Sequence, residues 1–332
     1  MNKNIIEQFE LLVKQIQFDI DFSSGKQQTV NTFRLKSILN VLKILKKFPT
    51  KITKASQLEN IPGIGDRSIA RIEEILKTGK LAEIKISPDI DKYLQIIDEL
   101  DDIIGIGRKK AYELFKKHNI KSIKELQEQY KNGKIDLPEN IVKGLQYIGK
   151  IHDKIPRSEI DEIAKILHKV AIQIDPQLFI TICGSYRRET PTSGDIDVII
   201  VHPSVKTLND TKTTNYIEIF ISALKKKKII VDSLTSEDVY TKYMGICKLG
   251  DDGLLRRIDV RYMPYNSYYS AILYFTGSKD FNRKMRQIAI SMGYKLNEYG
   301  LYDENGKPFT INSEKEIFDI LGMEYLIPSK RI

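Results

Sequence analysis

The chain has 332 residues, a formal net charge of +9, 41% hydrophobic and 29% charged residues, two cysteines and no tryptophan. At roughly 100–200 residues per domain this predicts two or three domains with real cores, and the charged fraction argues against a membrane protein or a purely disordered chain. No apolar run reaches the roughly 20 residues of a membrane-spanning helix, and Glu7 and Glu10 interrupt the place where a signal peptide would be apolar, so an intracellular protein with no membrane partner is expected.

From Asn4 to about Lys150 apolar residues recur at three and four, as in Ile5, Phe9, Leu12, Val13 and Ile16, which predicts helices only. Lys36, Lys43, Lys46, Lys47, Lys51 and Lys54 make part of this region basic, and a basic balance points to a polyanionic partner. A weak repeat runs through it: Ile61-Pro62-Gly63-Ile64-Gly65 and Ile103-Ile104-Gly105-Ile106-Gly107, each leading into a helix. Glycine permits a tight turn, and the amides opening the next helix offer a seat for a phosphate, so Gly63, Gly65, Gly105 and Gly107 are candidate contacts to a nucleic-acid backbone. Such contacts carry no sequence information.

After Pro156 an amphipathic helix is expected, with Ser158 as its N-cap. The period then changes, and strands are predicted over Leu178–Cys183, Ile196–Val201, Lys228–Leu234, Val239–Leu249 and Leu255–Met263, with a helix at Tyr216–Leu224. Lys225–Lys228 reads as a solvated helix end rather than a nuclear localisation signal. From Ser267 onward a helix at Phe281–Met292 mixes with short extended pieces. Cys183 and Cys247, without CxxC spacing, are expected to be buried reduced thiols.

The most informative stretch is Gly184-Ser185-Tyr-Arg187-Arg188 followed by Ser193-Gly194-Asp195-Ile-Asp197. On a strand, Asp195 and Asp197 share one face while Ile196 and Val198 share the other. Two adjacent anions repel unless a divalent cation neutralises them, and carboxylate oxygens suit magnesium. Arg256-Arg257-Ile258-Asp259-Val260-Arg261 alternates in the same way and supplies a third carboxylate; three carboxylates permit a two-metal phosphoryl-transfer site. Ser185 and the arginine pair suit a triphosphate.

These elements, together with Tyr274-Phe275-Thr-Gly277, Phe281-Asn282, Met285-Arg286 and Asn297-Glu298-Tyr299, resemble the DNA polymerase beta family (family X) from the first helices to the last residues. The glycine repeats resemble helix-hairpin-helix motifs. The resemblance implies a multidomain α and α+β chain: a helical lyase-like domain (1–88) with the first hairpin and a helical DNA-binding subdomain (89–150) with the second. A mixed-sheet nucleotidyltransferase palm (151–263) and an α+β subdomain that binds the nascent base pair (264–332) follow. It implies that Asp195, Asp197 and Asp259 ligate two magnesium ions, with manganese a possible substitute. Lys154, Ser185, Arg188, Ser193 and Gly194 would meet the phosphates of the incoming deoxynucleotide, Tyr274, Phe275 and Gly277 its sugar, and Lys279 and Asn282 its base. Arg257, Arg286 and Tyr299 would lie on the DNA, with Arg261 and Glu298 in the network that moves on closure. Backbone carbonyls of Glu59, Ile61 and Ile64, and of Asp101, Ile103 and Ile106, would hold a sodium or potassium ion at each hairpin.

The implied activity is template-directed filling of short gaps in DNA repair of the base-excision type, by a monomer acting on gapped or nicked primer-template DNA and releasing pyrophosphate. DNA ligase and other repair proteins are partners the sequence does not reveal, and the expected compartment is the nucleus in a eukaryotic cell or the cytoplasm in a viral or bacterial setting. No room is evident for a proofreading nuclease. Departures from the family pattern fall in two places, the nucleotide site and the N-terminal pocket. Lys154 replaces an arginine and Lys279 an aspartate, and both changes are expected to alter nucleotide affinity. Arg71 occupies the position of the Schiff-base lysine of lyase-active relatives, and Phe33, Ile38 and Glu59 replace polar or basic pocket residues, although Arg34 and Arg67 keep charge. A guanidinium cannot form a Schiff base, so 5′-deoxyribose phosphate lyase activity is expected to be weak or absent. A template-independent nucleotidyltransferase and a DNA-binding scaffold without catalysis are the competing readings.

Overall fold

A computed structural model describes residues 2–152, 154–235 and 240–331. The chain divides into two compact units, Met1–Ile141 and Val142–Ile332. Among the described residues no helix is long and apolar enough to cross a membrane.

The first unit is helical: α1 (Lys3–Asp21), α2 (Gly25–Lys47), α3 (Asp66–Thr78), α4 (Pro88–Asp101), α5 (Arg108–His118) and α6 (Ile123–Lys131), with α7 (Glu139–Gln146) crossing its end. Ile5, Phe9, Leu12 and Ile16 form one buried stripe of α1 and meet Ile38, Val41, Leu42 and Leu45 of α2. Ser87 starts α4 by accepting from the Ile90 amide, with Pro88 as its first residue, while Gly79 ends α3 in a left-handed turn that satisfies the Ile75 carbonyl.

The second unit opens with β1 (Ile155–Pro156), α8 (Arg157–Ile174), β2 (Phe179–Ile182), α9 (Gly184–Arg187), β3 (Thr192–Ser193) and β4 (Ile196–Val201). It continues through α10 (Asp210–Thr213), α11 (Tyr216–Lys226), β5 (Ile230–Ser233), β6 (Lys242–Cys247) and β7 (Arg256–Tyr262). Last come α12 (Tyr268–Thr276), α13 (Lys279–Ser291), β8 (Lys295–Asn297), β9 (Gly300–Tyr302) and α14 (Glu314–Ile320). The main sheet has the order β2-β4-β7-β6-β5, with β4 and β7 parallel and the other pairs antiparallel.

Alternation along β4 and β7 divides the sheet into two faces. Val198, Ile200, Ile258, Val260 and Tyr262 join one buried core with Ile163 and Leu167 of α8 and Phe220 and Leu224 of α11. Ile199 and Val201 turn the other way and pack on Ala271 and Ile272 of α12. Asp197, Arg257, Asp259 and Arg261 are the half-buried residues of the two strands. A separate core of Leu273, Phe281, Met285, Leu301, Ile317 and Phe318 holds the C-terminal elements together.

Several local expectations change. Helix α8 begins at Arg157, so Ser158 is inside the first turn and does not cap it; Pro156 holds the cap position and the Arg157 amide is satisfied by the Pro191 carbonyl. Gly184 and Ser185 open a one-turn helix rather than a bare turn. Lys228 sits at φ 57° and belongs to the turn after α11, so β5 starts at Ile230. Val239, the first residue of the strand expected to run to Leu249, lies outside the described residues, and that strand spans Lys242–Cys247. Cys183 and Cys247 are buried and unpaired.

Candidate functional site

Parallel pairing of β4 with β7 places Asp197 directly opposite Asp259, and Asp195 stands just ahead of β4. One carboxylate oxygen from each of the three lies within 4.8 Å of the others. Burial raises the Asp197 carboxyl, and the neighbouring Asp195 and Asp259 raise it further, so that it is pushed up to about 7 against the opposing pull of Arg257 and Arg261. Asp259 is shifted upward as well, chiefly by burial. Arg257, on the same strand face, donates from Nη2 to Asp195 and Asp259, 3.2 Å from each. Even so Asp259 Oδ1 is buried without a hydrogen-bond partner among the described residues. A half-buried cluster of three carboxylates with an orphaned oxygen fits the hard ligand set of a divalent metal.

The turn that follows β2 lies against this cluster. Gly184 has φ +56°, and a Cβ on it would sit 2.2 Å from Asp197 Oδ2, so only glycine lets the chain approach this closely. The Cys183 amide donates to the Asp197 carbonyl at 2.8 Å and fixes the approach. Ser185 and Arg188 project from this same short helix and its end. Ser193 lies on β3, whose partner β1 brings Ile155 opposite Ser193, so Lys154 and Gly194 flank one short ladder. Arg188 donates to the Thr276 carbonyl, which joins this group to the Tyr274–Gly277 segment. Behind it, Arg187 forks onto Glu314, and buried Arg331 binds the same carboxylate at 2.6 Å.

On α13, Asn282 Nδ2 donates to the Tyr274 carbonyl at 2.6 Å and the Arg286 guanidinium lies 5.7 Å from the centre of the Tyr274 ring. These three residues and Asn297 line a small cavity. Lys279 is the exposed first residue of α13. Arg261 stacks on Phe275 at 5.3 Å, while half-buried Tyr299 has its hydroxyl pushed upward, first by burial and then by the charge of Glu298.

The two glycine repeats adopt one geometry. The Ile64 amide donates to the Ile61 carbonyl at 3.1 Å and the Ile106 amide to the Ile103 carbonyl at 2.9 Å. Gly63 and Gly105 occupy the left-handed region at φ +97° and +90°. Gly65 and Gly107 take the N-cap positions of α3 and α5. A Cβ at Gly63 would lie 2.5 Å from Asn40 Nδ2, and one at Gly105 would lie 2.7 Å from Asn140 Nδ2. Glu59 and Asp101 stand just ahead of the two turns; burial shifts the Asp101 carboxyl upward.

Residues 154–265 match the family model of the DNA polymerase beta palm, residues 271–332 that of the DNA polymerase beta thumb, and residues 1–81 a helix-hairpin-helix domain. The chain belongs to the DNA polymerase beta family. It is 28% identical to DNA polymerase lambda of Arabidopsis thaliana over 351 aligned residues, which cover 100% of this chain and 62% of that protein. DNA polymerase lambda of Rattus norvegicus is 28% identical over 347 residues, covering 99% of this chain and 56% of the relative. DNA nucleotidylexotransferase of Xenopus laevis is 25% identical over 360 residues, covering 99% of this chain and 68% of that protein. The chain thus spans little more than half the length of the polymerase lambda relatives.

Val30, Phe33, Arg34, Ser37, Ile38, Arg67 and Arg71 line an open cavity of about 510 Å³. Arg71 Nε donates to Glu83, and Arg34 Nη2 reaches the same carboxylate at 2.7 Å. Burial raises the Glu83 carboxyl, but the hydrogen bonds and charges of Arg71 and Arg34 more than reverse this and leave it below the ordinary value. Glu83 was not singled out in the sequence, and neither were Asn40, Asn140, Glu314 and Arg331. Each works through a partner distant in the chain, and no local pattern in the sequence marks it.

Proposed function

We propose that this chain is a DNA-directed DNA polymerase that fills short gaps during repair. The observation that supports this most is the meeting of Asp195, Asp197 and Asp259 from separate stretches of backbone beside the Gly184 turn. Asp195, Asp197 and Asp259 would hold two magnesium ions, or manganese in their place, which when bound lower the cost of ionising a primer 3′ hydroxyl and stabilise the triphosphate and departing pyrophosphate. Ser185, Arg188, Ser193, Gly194 and Lys154 bind and orient the β and γ phosphates of a deoxynucleotide. Tyr274 to Gly277 crowd the sugar, and Asn282 and Arg286 test the minor-groove edge of the new pair, which is degenerate in hydrogen-bonding pattern and so reports shape. Arg257 and Tyr299 lie along the primer and template. The two hairpins hold the duplex by its phosphates, each with a sodium or potassium ion on the carbonyls of residues 59, 61 and 64 or 101, 103 and 106.

The four segments 1–88, 89–150, 151–263 and 264–332 divide the work between the downstream strand, the duplex, the chemistry and the nascent pair. A monomer suffices for this. Arg71, bound to Glu83, has no free amine for a Schiff base, so sugar-phosphate excision in the N-terminal pocket is weak or absent. The similarity to a nucleotidylexotransferase favours a second reading, untemplated addition to a 3′ end. Primer extension on gapped DNA with one nucleotide at a time separates the two. A templated enzyme inserts the complementary nucleotide far faster than the others; addition indifferent to the opposing base supports the second reading.

A further inference from the structure

Arg256 neighbours Arg257 on β7 but turns to the opposite face, where it is only 2% exposed. Its Nε and Nη2 fork onto Glu159, in the first turn of α8, at 2.8 and 2.6 Å. Its Nη1 donates to the carbonyls of His152 at 3.0 Å and Lys154 at 3.4 Å. One buried guanidinium therefore ties three pieces of backbone together: the strand that carries Asp259, the start of α8, and the segment that leads through Lys154 into β1. That segment is pinned from two further sides. The His152 amide donates to the Leu255 carbonyl at 3.0 Å, and Ile155 pairs with Ser193, two residues ahead of Asp195.

A buried ion pair adds little stability over a well-packed apolar pair, because desolvation offsets the attraction. Its directional value is larger, since five donors in a rigid plane fix several acceptors at once. We infer that Arg256 is a positioning residue for nucleotide binding: it sets the place of Lys154 and of the β1–β3 ladder relative to the β7 carboxylate. This rests on the nucleotide-transfer reading above. It also explains how a lysine can serve at position 154, since a single mobile ammonium needs a backbone held in place to meet a phosphate.

The test is steady-state insertion of the complementary nucleotide into a one-nucleotide gap by wild type, Arg256→Lys, Lys154→Ala and the double variant, with thermal melting of each. Arg256→Lys keeps the charge and loses the fork. It is expected to raise KM for the nucleotide about tenfold, the order of one lost charge-assisted contact, with kcat nearly unchanged. In the Lys154→Ala background the same change should have a clearly smaller effect than in wild type, because one of the contacts it positions is already gone. Unchanged KM in Arg256→Lys, or effects of the two substitutions that multiply in the double variant, would overturn the inference. If Arg256→Lys does not fold, Glu159→Gln is assayed in its place with the same expectations. A wild-type protein that adds no nucleotide to gapped DNA refutes the polymerase reading itself, an outcome separable from an active wild type whose KM is indifferent to Arg256.

Discussion

Gly184→Ala is the sharpest perturbation of the carboxylate cluster that leaves every charge in place. The alanine must hold φ +56°, which costs an L-residue about 1–2 kcal/mol. Its Cβ would stand 2.2 Å from Asp197 Oδ2 and 3.2 Å from Asp197 Cγ. Carbon and oxygen rest nearer 3.5 Å apart, so the carboxylate has to retreat by about 1 Å from its place beside Asp259. A displacement of that size in a catalytic constellation costs about a hundredfold in rate. Single-turnover incorporation of the complementary nucleotide should therefore fall about a hundredfold, while the melting temperature falls by only about 2–8 °C. Affinity for gapped DNA should be nearly unchanged. A Gly184→Ala protein that incorporates at the wild-type rate would show that the close approach to Asp197 does not matter, and the geometric reasoning would fail with it.

Three further outcomes are expected. Borohydride treatment on incised abasic DNA should trap no covalent adduct, because Arg71 is engaged by Glu83 and carries no amine; a trapped adduct would mean that another lysine reaches the pocket. The Glu314 carboxyl is raised by burial but lowered further by its bonds to Arg187 and Arg331, so its folded value lies below its unfolded one. That contribution to stability is present above the ordinary glutamate range and is lost as pH falls through the folded value; Glu314→Gln should unfold with a shallower acid dependence and cost about 3–5 kcal/mol near neutral pH. Equal acid profiles by circular dichroism would contradict the pairing. Gly105→Ala should weaken binding to duplex DNA and flatten its salt dependence, since the new Cβ, 2.7 Å from Asn140 Nδ2, forces the hairpin off its turn; an unchanged slope in a salt titration would detach the hairpin from the DNA.

Local periodicity carried much of the fold. Alternation in Ile196–Val201 and Arg256–Tyr262 was enough to place Asp197 and Asp259 on one face, and the β4–β7 register then set them opposite each other. Motif glycines were equally readable, because a left-handed turn leaves little choice of residue. What stayed hidden was what depends on pairing across long separations. Nothing near Arg71 announces Glu83, nothing near Arg187 announces Glu314 and Arg331, and the alternation of β7 does not reveal that Arg256 reaches Glu159, 97 residues away in the chain. Helix starts were also imprecise: a serine near the N-terminus of α8 suggested a cap, but the fixed φ of Pro156 and the Pro191 carbonyl already satisfied that end. A DNA-binding scaffold without catalysis would have no use for three half-buried carboxylates at this spacing, whose mutual repulsion is costly to maintain.

The most direct measurement is nucleotide addition by Asp259→Ala on a one-nucleotide gap, with binding of the same DNA measured alongside. Addition should be abolished while binding is nearly intact. Wild-type addition by the substituted protein would remove Asp259 from the chemistry and leave the cluster without the role assigned to it.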